Sequence, residues 1–123
     1  MPTAKLAMRS LSNLHDLDQA IASSYDRLVL VFKHSLTCPV SGRAFREVTG
    51  LLSAPAVPAD VYLVCVQCDR RVSNAISDRL AVQHESPQAI LLSRGQVVWS
   101  DSHFGITAEA LRQTLERHAA AEV

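Results

Sequence analysis

Leu28-Val29-Leu30-Val31-Phe32 is an uninterrupted apolar run between Tyr25-Asp26-Arg27 and Lys33-His34. A run without alternation predicts a strand of a parallel sheet covered on both faces. Residues 60–66, DVYLVCV, form a second β-rich run and are predicted to be its parallel neighbour. Residues 89–92 and 96–99 flank Arg94-Gly95 and predict a hairpin. Residues 4–8 are a candidate short edge strand.

Between the strands the apolar spacing becomes helical. Leu14, Leu17, Ala20 and Ile21 recur at that spacing after Ser12 or Asn13, either of which can cap a helix running to about residue 23. Val40, Ala44, Val48, Leu51 and Leu52 mark the inner face of a helix over 39–53, slightly weakened by Gly42. Val72, Ala75, Ile76 and Leu80 do the same for a helix from Arg70 or Arg71 to Leu80. Thr107 is placed to cap a last helix reaching about residue 120, supported by Leu111 and Leu115. Two prolines make 54–58 a connecting loop, and 84–87 is another. The order is (β)αβαβαββα. Two βαβ-type crossovers followed by a hairpin and a helix predict an α/β fold: a central mixed sheet of four to five strands with helices on both faces.

Composition narrows the function more than the fold. At 123 residues the chain is expected to be a single domain over 1–123, large enough to bury a core without a structural metal or disulfides. Twelve basic and twelve acidic residues balance to zero, which gives no support for nucleic acid or an anionic membrane as partner. No apolar run approaches the roughly 20 residues of a membrane span, and the N-terminal residues lack the apolar core of a signal peptide. The expected compartment is the reducing cytoplasm. Three cysteines are there expected to be free, catalytic or metal-bound rather than locked in structural disulfides.

The candidate chemistry is at Cys38. It follows the first strand by a short polar loop, and Pro39 suits the first turn of a helix, where the missing N–H costs nothing. A thiol there meets unpaired backbone amides and the positive end of the helix dipole, both of which favour the thiolate. In open α/β sheets, sites form beyond the carboxyl ends of the strands, and Cys38 lies at that edge. Ser41 stands one helical turn on; its hydroxyl or N–H could bond the thiolate, or it is simply a solvated serine of a first turn. Thr37 has the same two readings. Lys33 and His34 precede the loop and could add positive charge, though both read more naturally as strand-end surface residues.

Three segments, FKHSLTCPVS, VSNAISDRLAVQHESPQ and VVWSDSHFGIT, together resemble the monothiol bacilliredoxins of the thioredoxin-like superfamily. The resemblance covers about residues 28–107. It implies a thioredoxin-like fold and a small cytoplasmic thiol–disulfide oxidoreductase that removes bacillithiol from S-bacillithiolated proteins. Cys38 is then the nucleophile, and Ser41 occupies the position of a dithiol enzyme's resolving cysteine. Pro87 matches the superfamily's cis-proline, which would expose the backbone of Ser86 to a substrate's main chain. Pro39, Ser86, Pro87, His84, His103 and Lys33 become candidate thiol-binding residues. The implied partners are bacillithiol and S-thiolated client proteins. No tightly bound cofactor, no nucleic acid and no membrane are expected, and the chain should be a monomer or weak dimer.

Cys65 and Cys68 depart from that family pattern. Cys65 falls within the predicted second strand and reads as a buried core thiol. Residues three apart in a strand point to opposite faces, so a disulfide between the two is awkward unless the strand has ended. Cys68 would lie at the same sheet edge as Cys38 and is a candidate resolving thiol. A dithiol reductase using Cys38 and Cys68, or a non-enzymatic binding module, are the alternatives. The cysteines and histidines lack paired ligand motifs, so no metal is expected. His84 and His103 would flank the pocket or simply solvate loops. Trp99 reads as core.

Overall fold

The computed structural model describes residues 8–53 and 59–121. Its elements are β1 (Arg9–Ser10), α1 (Leu14–Ser23), β2 (Leu28–His34), α2 (Pro39–Leu52), β3 (Ala59–Cys65), α3 (Arg70–Leu80), β4 (Gln88–Ser93), β5 (Gln96–Ser102), a 3₁₀ turn (His103–Gly105) and α4 (Ala108–Ala121). The candidate strand at 4–8 and the loop at 54–58 lie, Met8 apart, outside the described residues. The five strands form one mixed sheet in the order β1-β3-β2-β4-β5. β2 runs parallel to β3 and antiparallel to β4, as the crossover-then-hairpin pattern requires.

Side-chain alternation along β2 divides the interior in two. Leu28, Leu30 and Phe32 meet Ala44, Val48 and Leu51 of α2 and Leu111 and Leu115 of α4. Val29 and Val31 meet Leu17 and Ala20 of α1 and Val72 and Ile76 of α3. Both faces of β2 are thus covered, which is why its sequence shows no alternation. Each of the buried Leu, Val, Ile and Phe side chains among these contributes about 1.5–3 kcal/mol relative to exposure. Trp99 is partly buried at the edge of the α2/α4 core.

Local signals in the sequence set the element ends. The Asn13 side chain caps α1 by accepting the N–H of Asp16 at 2.8 Å. Thr107 Oγ1 accepts the N–H of Ala110 at 3.1 Å at the start of α4. The hairpin turns on Arg94 and Gly95, both at positive φ (53° and 77°), the backbone that two-residue hairpins favour. Ser24 grips that turn: its carbonyl accepts the N–H of Arg94 and its hydroxyl that of Gly95, each at 2.8 Å. Among the described residues no helix is long and apolar enough to cross a membrane.

β2 is longer than its apolar run. Lys33 pairs with Val64 and with Gln88, and His34 with Cys65. Polar character there does not mean exposure: the Lys33 side chain is fully buried, which corrects the surface reading. Its ammonium donates to the carbonyl of Ser73 at 3.0 Å and lies 3.1 Å from Ser77 Oγ, both on α3.

Candidate active site

Four chain segments converge at one edge of the sheet because of strand register. His34 at the end of β2 pairs with Cys65 at the end of β3. Lys33 pairs with Gln88 at the start of β4, which in turn pairs with Ser102 at the end of β5. The loop carrying Cys38, the turn after Cys65, the Ser86-Pro87 loop and the His103–Gly105 turn therefore all leave the sheet on the same side.

Cys38 is the N-cap of α2, in extended conformation, with Pro39 at the first helical position. Its carbonyl accepts the first helical bond, from the N–H of Gly42 at 3.1 Å. It is half-buried, and among the described residues it is the one free cysteine. The Cys38 side chain makes no cap hydrogen bond, so the first-turn amides of α2 have no side-chain cap.

Ser41 is not the solvated serine that a first turn allows. It is fully buried, and its hydroxyl accepts the N–H of Ser35 at 2.8 Å and lies 2.9 Å from His34 Nδ1. The hydroxyl fastens the helix to the loop that delivers Cys38. His34 sits on the α2 side of the sheet, its ring 5.1 Å from that of Phe45. Burial holds its pKa below the ordinary value, with the Ser41 contact opposing in part. The imidazole is therefore neutral near pH 7, not the positive neighbour that the sequence allowed.

Thr37 is exposed, and its hydroxyl lies 3.4 Å from that of Ser35. The Ser86–Pro87 peptide is cis. Pro87 is buried, its carbonyl accepts the N–H of His103 at 3.1 Å, and Ser86 Oγ is buried with no hydrogen-bond partner among the described residues. His103 is exposed, with Nε2 3.9 Å from Glu85 Oε1. Next to it Phe104 is 64% exposed and lies under the Arg43 guanidinium of α2 at 5.5 Å, and Leu36 before Cys38 is 63% exposed. The site rim thus carries apolar surface beside a cation.

Two predicted thiol-binding residues do not join this group. Lys33 points to the opposite face, toward α3, because adjacent strand residues alternate. Its burial lowers its pKa to about 8. His84 Nδ1 lies 3.2 Å from the Lys33 ammonium, which ties it to that same face.

The remaining cysteines differ from expectation. Cys65 is partly exposed rather than a core thiol, and it is disulfide-bonded to Cys68 with a Cα separation of 5.2 Å. β3 ends at Cys65 and the chain turns at once, so Cys68 swings back instead of pointing to the far face. Cys68 is consequently not a free resolving thiol in this state.

A family model described as monothiol bacilliredoxin BrxC matches residues 9–111. The chain belongs to the bacilliredoxin BrxC family. Among solved structures it is similar to a candidate oxidoreductase with a thioredoxin fold, at 34% identity and a TM-score of 0.76, over 89% of this chain and 93% of that one. It also superposes on Fasciola hepatica thioredoxin (23% identity, TM-score 0.70, 90% and 99% covered). The thioredoxin of Malassezia sympodialis gives 13% identity and a TM-score of 0.74 over 92% and 91%. These two show the fold alone. The chain has the thioredoxin-like fold, and thiol–disulfide exchange is the chemistry of its family.

Sequence reasoning missed Gln67 and Ser35. Gln67 lies between the two paired cysteines and reaches the Cys38 loop with its side-chain amide. Only the β2/β3 register reveals that, and no local motif marks it.

Proposed function

We propose that this protein removes bacillithiol from S-bacillithiolated proteins in the cytoplasm through Cys38 alone. The reading is carried by one observation: the position where a dithiol enzyme holds its second thiol is occupied by Ser41, whose hydroxyl is engaged with Ser35 and His34. Cys38 is left as a free nucleophile at a helix N-terminus without an adjacent resolving cysteine.

In the proposed cycle the Cys38 thiolate attacks the bacillithiol sulfur of a client's mixed disulfide. The client's sulfur leaves as thiolate and takes a proton, and Cys38 carries bacillithiol as a mixed disulfide. A second bacillithiol thiolate attacks the bacillithiol sulfur of that adduct, which releases Cys38 and oxidised bacillithiol. Cys38 stands at the N-terminal end of α2 both when it attacks and when it leaves. The Ser86-Pro87 loop leaves the sheet at the same edge, where the backbone of Ser86 would pair with an extended substrate segment. Leu36 and Phe104 supply apolar contact, and Arg43 suits the carboxylates that bacillithiol carries.

The test exposes the protein, with Cys38 reduced and the Cys65–Cys68 bridge intact, to oxidised bacillithiol and oxidised glutathione in parallel and follows intact mass. A bacillithiol adduct that forms faster than the glutathione adduct and is lost in Cys38→Ser is the expected result. Equal adduct formation with both thiols, or an adduct that survives Cys38→Ser, would overturn the assignment.

A further inference from the structure

The Cys65–Cys68 disulfide takes no part in the cycle above, yet it is wired to the loop that carries Cys38. Gln67, the second of the two residues between the cysteines, places all of its side-chain hydrogen bonds to described residues there. Its Oε1 accepts the N–H of Leu36 at 3.1 Å, and its Nε2 donates to Ser35 Oγ at 2.7 Å and to Thr37 Oγ1 at 3.3 Å. One residue earlier, the N–H of Val66 donates to the carbonyl of His34 at 2.9 Å. Three successive residues before Cys38 are thus held by one side chain, and the disulfide flanks that side chain on both sides.

The bridge is also reachable. Cys68 is exposed and Cys65 partly so, and exposed disulfides are the ones that exchange with small thiols. It spans a sequence separation of only three, where the entropic stabilisation of the fold by a cross-link is least. A bridge with so little to contribute to stability, placed on either side of the residue that clamps the nucleophile's loop, fits control better than reinforcement.

We propose that Cys65 and Cys68 form a second, reversible redox centre whose state sets how firmly Gln67 holds the Cys38 loop. Its co-reactants are low-molecular-weight thiols and disulfides. A thiolate attacks Cys68 Sγ and Cys65 leaves as thiolate; a second small thiol then attacks the small-molecule sulfur and releases Cys68. The net change is one protein disulfide and two thiols becoming two protein thiols and one small disulfide, with two electrons and two protons gained by the pair. Oxidation by a small disulfide runs the same steps in reverse. Once open, residues 66–68 regain backbone freedom, and Gln67 must order itself against that entropy to keep its grip. The loop then loosens.

The consequence for exchange rests on the function proposed above, but the switch itself does not, so it is tested in Cys38→Ser. That variant is equilibrated with reduced and oxidised dithiothreitol, the state of the pair is read by alkylation and intact mass, and the Leu36 amide is followed by hydrogen exchange in both states. The pair should interconvert while the chain stays folded. Leu36 should exchange at least about five-fold faster in the dithiol form, because its acceptor is released. Gln67→Ala should exchange fast in both forms and abolish the difference. Equal Leu36 exchange in the two states, or a bridge that dithiothreitol opens only when the chain unfolds, would overturn the proposal. A chain that forms no bacillithiol adduct on Cys38 but passes this test loses the proposed function and keeps the switch.

Discussion

Ser41 Oγ accepts the backbone N–H of Ser35 across six residues at 2.8 Å, which binds the first turn of α2 to the loop that presents Cys38. Ser41→Ala removes that acceptor and leaves a buried N–H unpaired. The expected loss of stability is about 1–3 kcal/mol, the cost of an unsatisfied buried donor. Chemical denaturation checks it. Bacillithiol transfer should slow in the same variant because the thiol is no longer held in place, and Ser41→Thr, which keeps the hydroxyl, should recover part of both.

His34 has a lowered pKa in the folded chain, mainly through burial. A base of this kind takes up its proton more readily when unfolded, so folding stability is full above the ordinary value of 6.5 and falls as pH drops below it. His34→Gln should flatten the acid side of the stability profile relative to the native chain. Thermal unfolding between pH 7 and pH 5 measures the difference, and parallel curves for the two proteins would count against it.

Lys33 is buried with its pKa lowered from 10.5 to about 8. That corresponds to a penalty of roughly 3 kcal/mol on the charged form. Between these two pH values the unfolded chain binds more protons than the folded one, so this contribution makes stability rise with pH. Lys33→Met lacks it. The stability of the native chain should therefore gain on that of Lys33→Met as pH rises from 8 toward 10, read from paired denaturation curves at each pH.

Arg43 lies over Phe104 at the rim of the site and is placed to meet an anionic thiol. Arg43→Gln should raise the concentration of oxidised bacillithiol needed for half-maximal adduct rate by about five-fold, as the loss of one exposed charged contact would. The rate with an uncharged small disulfide should be unaffected.

Gly95 turns the hairpin at φ 77°, and a Cβ there would come within 2.6 Å of the Tyr25 hydroxyl. Gly95→Ala should cost about 1 kcal/mol or more from backbone strain alone. The site lies at the opposite edge of the sheet, so the rate of adduct formation at Cys38 should not change.

Where sequence and structure agree, short-range physics decides. Apolar runs located the central strands, Asn13 and Thr107 marked helix starts, and Arg94-Gly95 marked the hairpin. The Cys-Pro turn placed Cys38 at the start of α2. The disagreements are decided by pairing between distant segments. Residues 60–66 read as one strand, but β3 closes at Cys65, and that single residue turns an awkward pair of cysteines into a disulfide. Lys33 looked like the end of a strand because it is charged; only the packing of α3 supplies the Ser73 carbonyl that lets it be buried. Gln67 has no local signature because its partners lie some thirty residues away on a neighbouring strand's loop.

Lys33 and His34 are joined by a single peptide bond, yet one is committed to α3 and the other to Ser41 of α2. The sheet is a partition only one residue thick, and its two compartments hold groups of different charge. A deletion or insertion of one residue within β2 would exchange their tenants, seating an ammonium against Phe45 and an imidazole beneath α3. Length in this strand is therefore as strictly specified as identity at Cys38: an otherwise correct sequence, shifted by one step, would carry its nucleophile on a helix whose first turn had lost its tie to the strand.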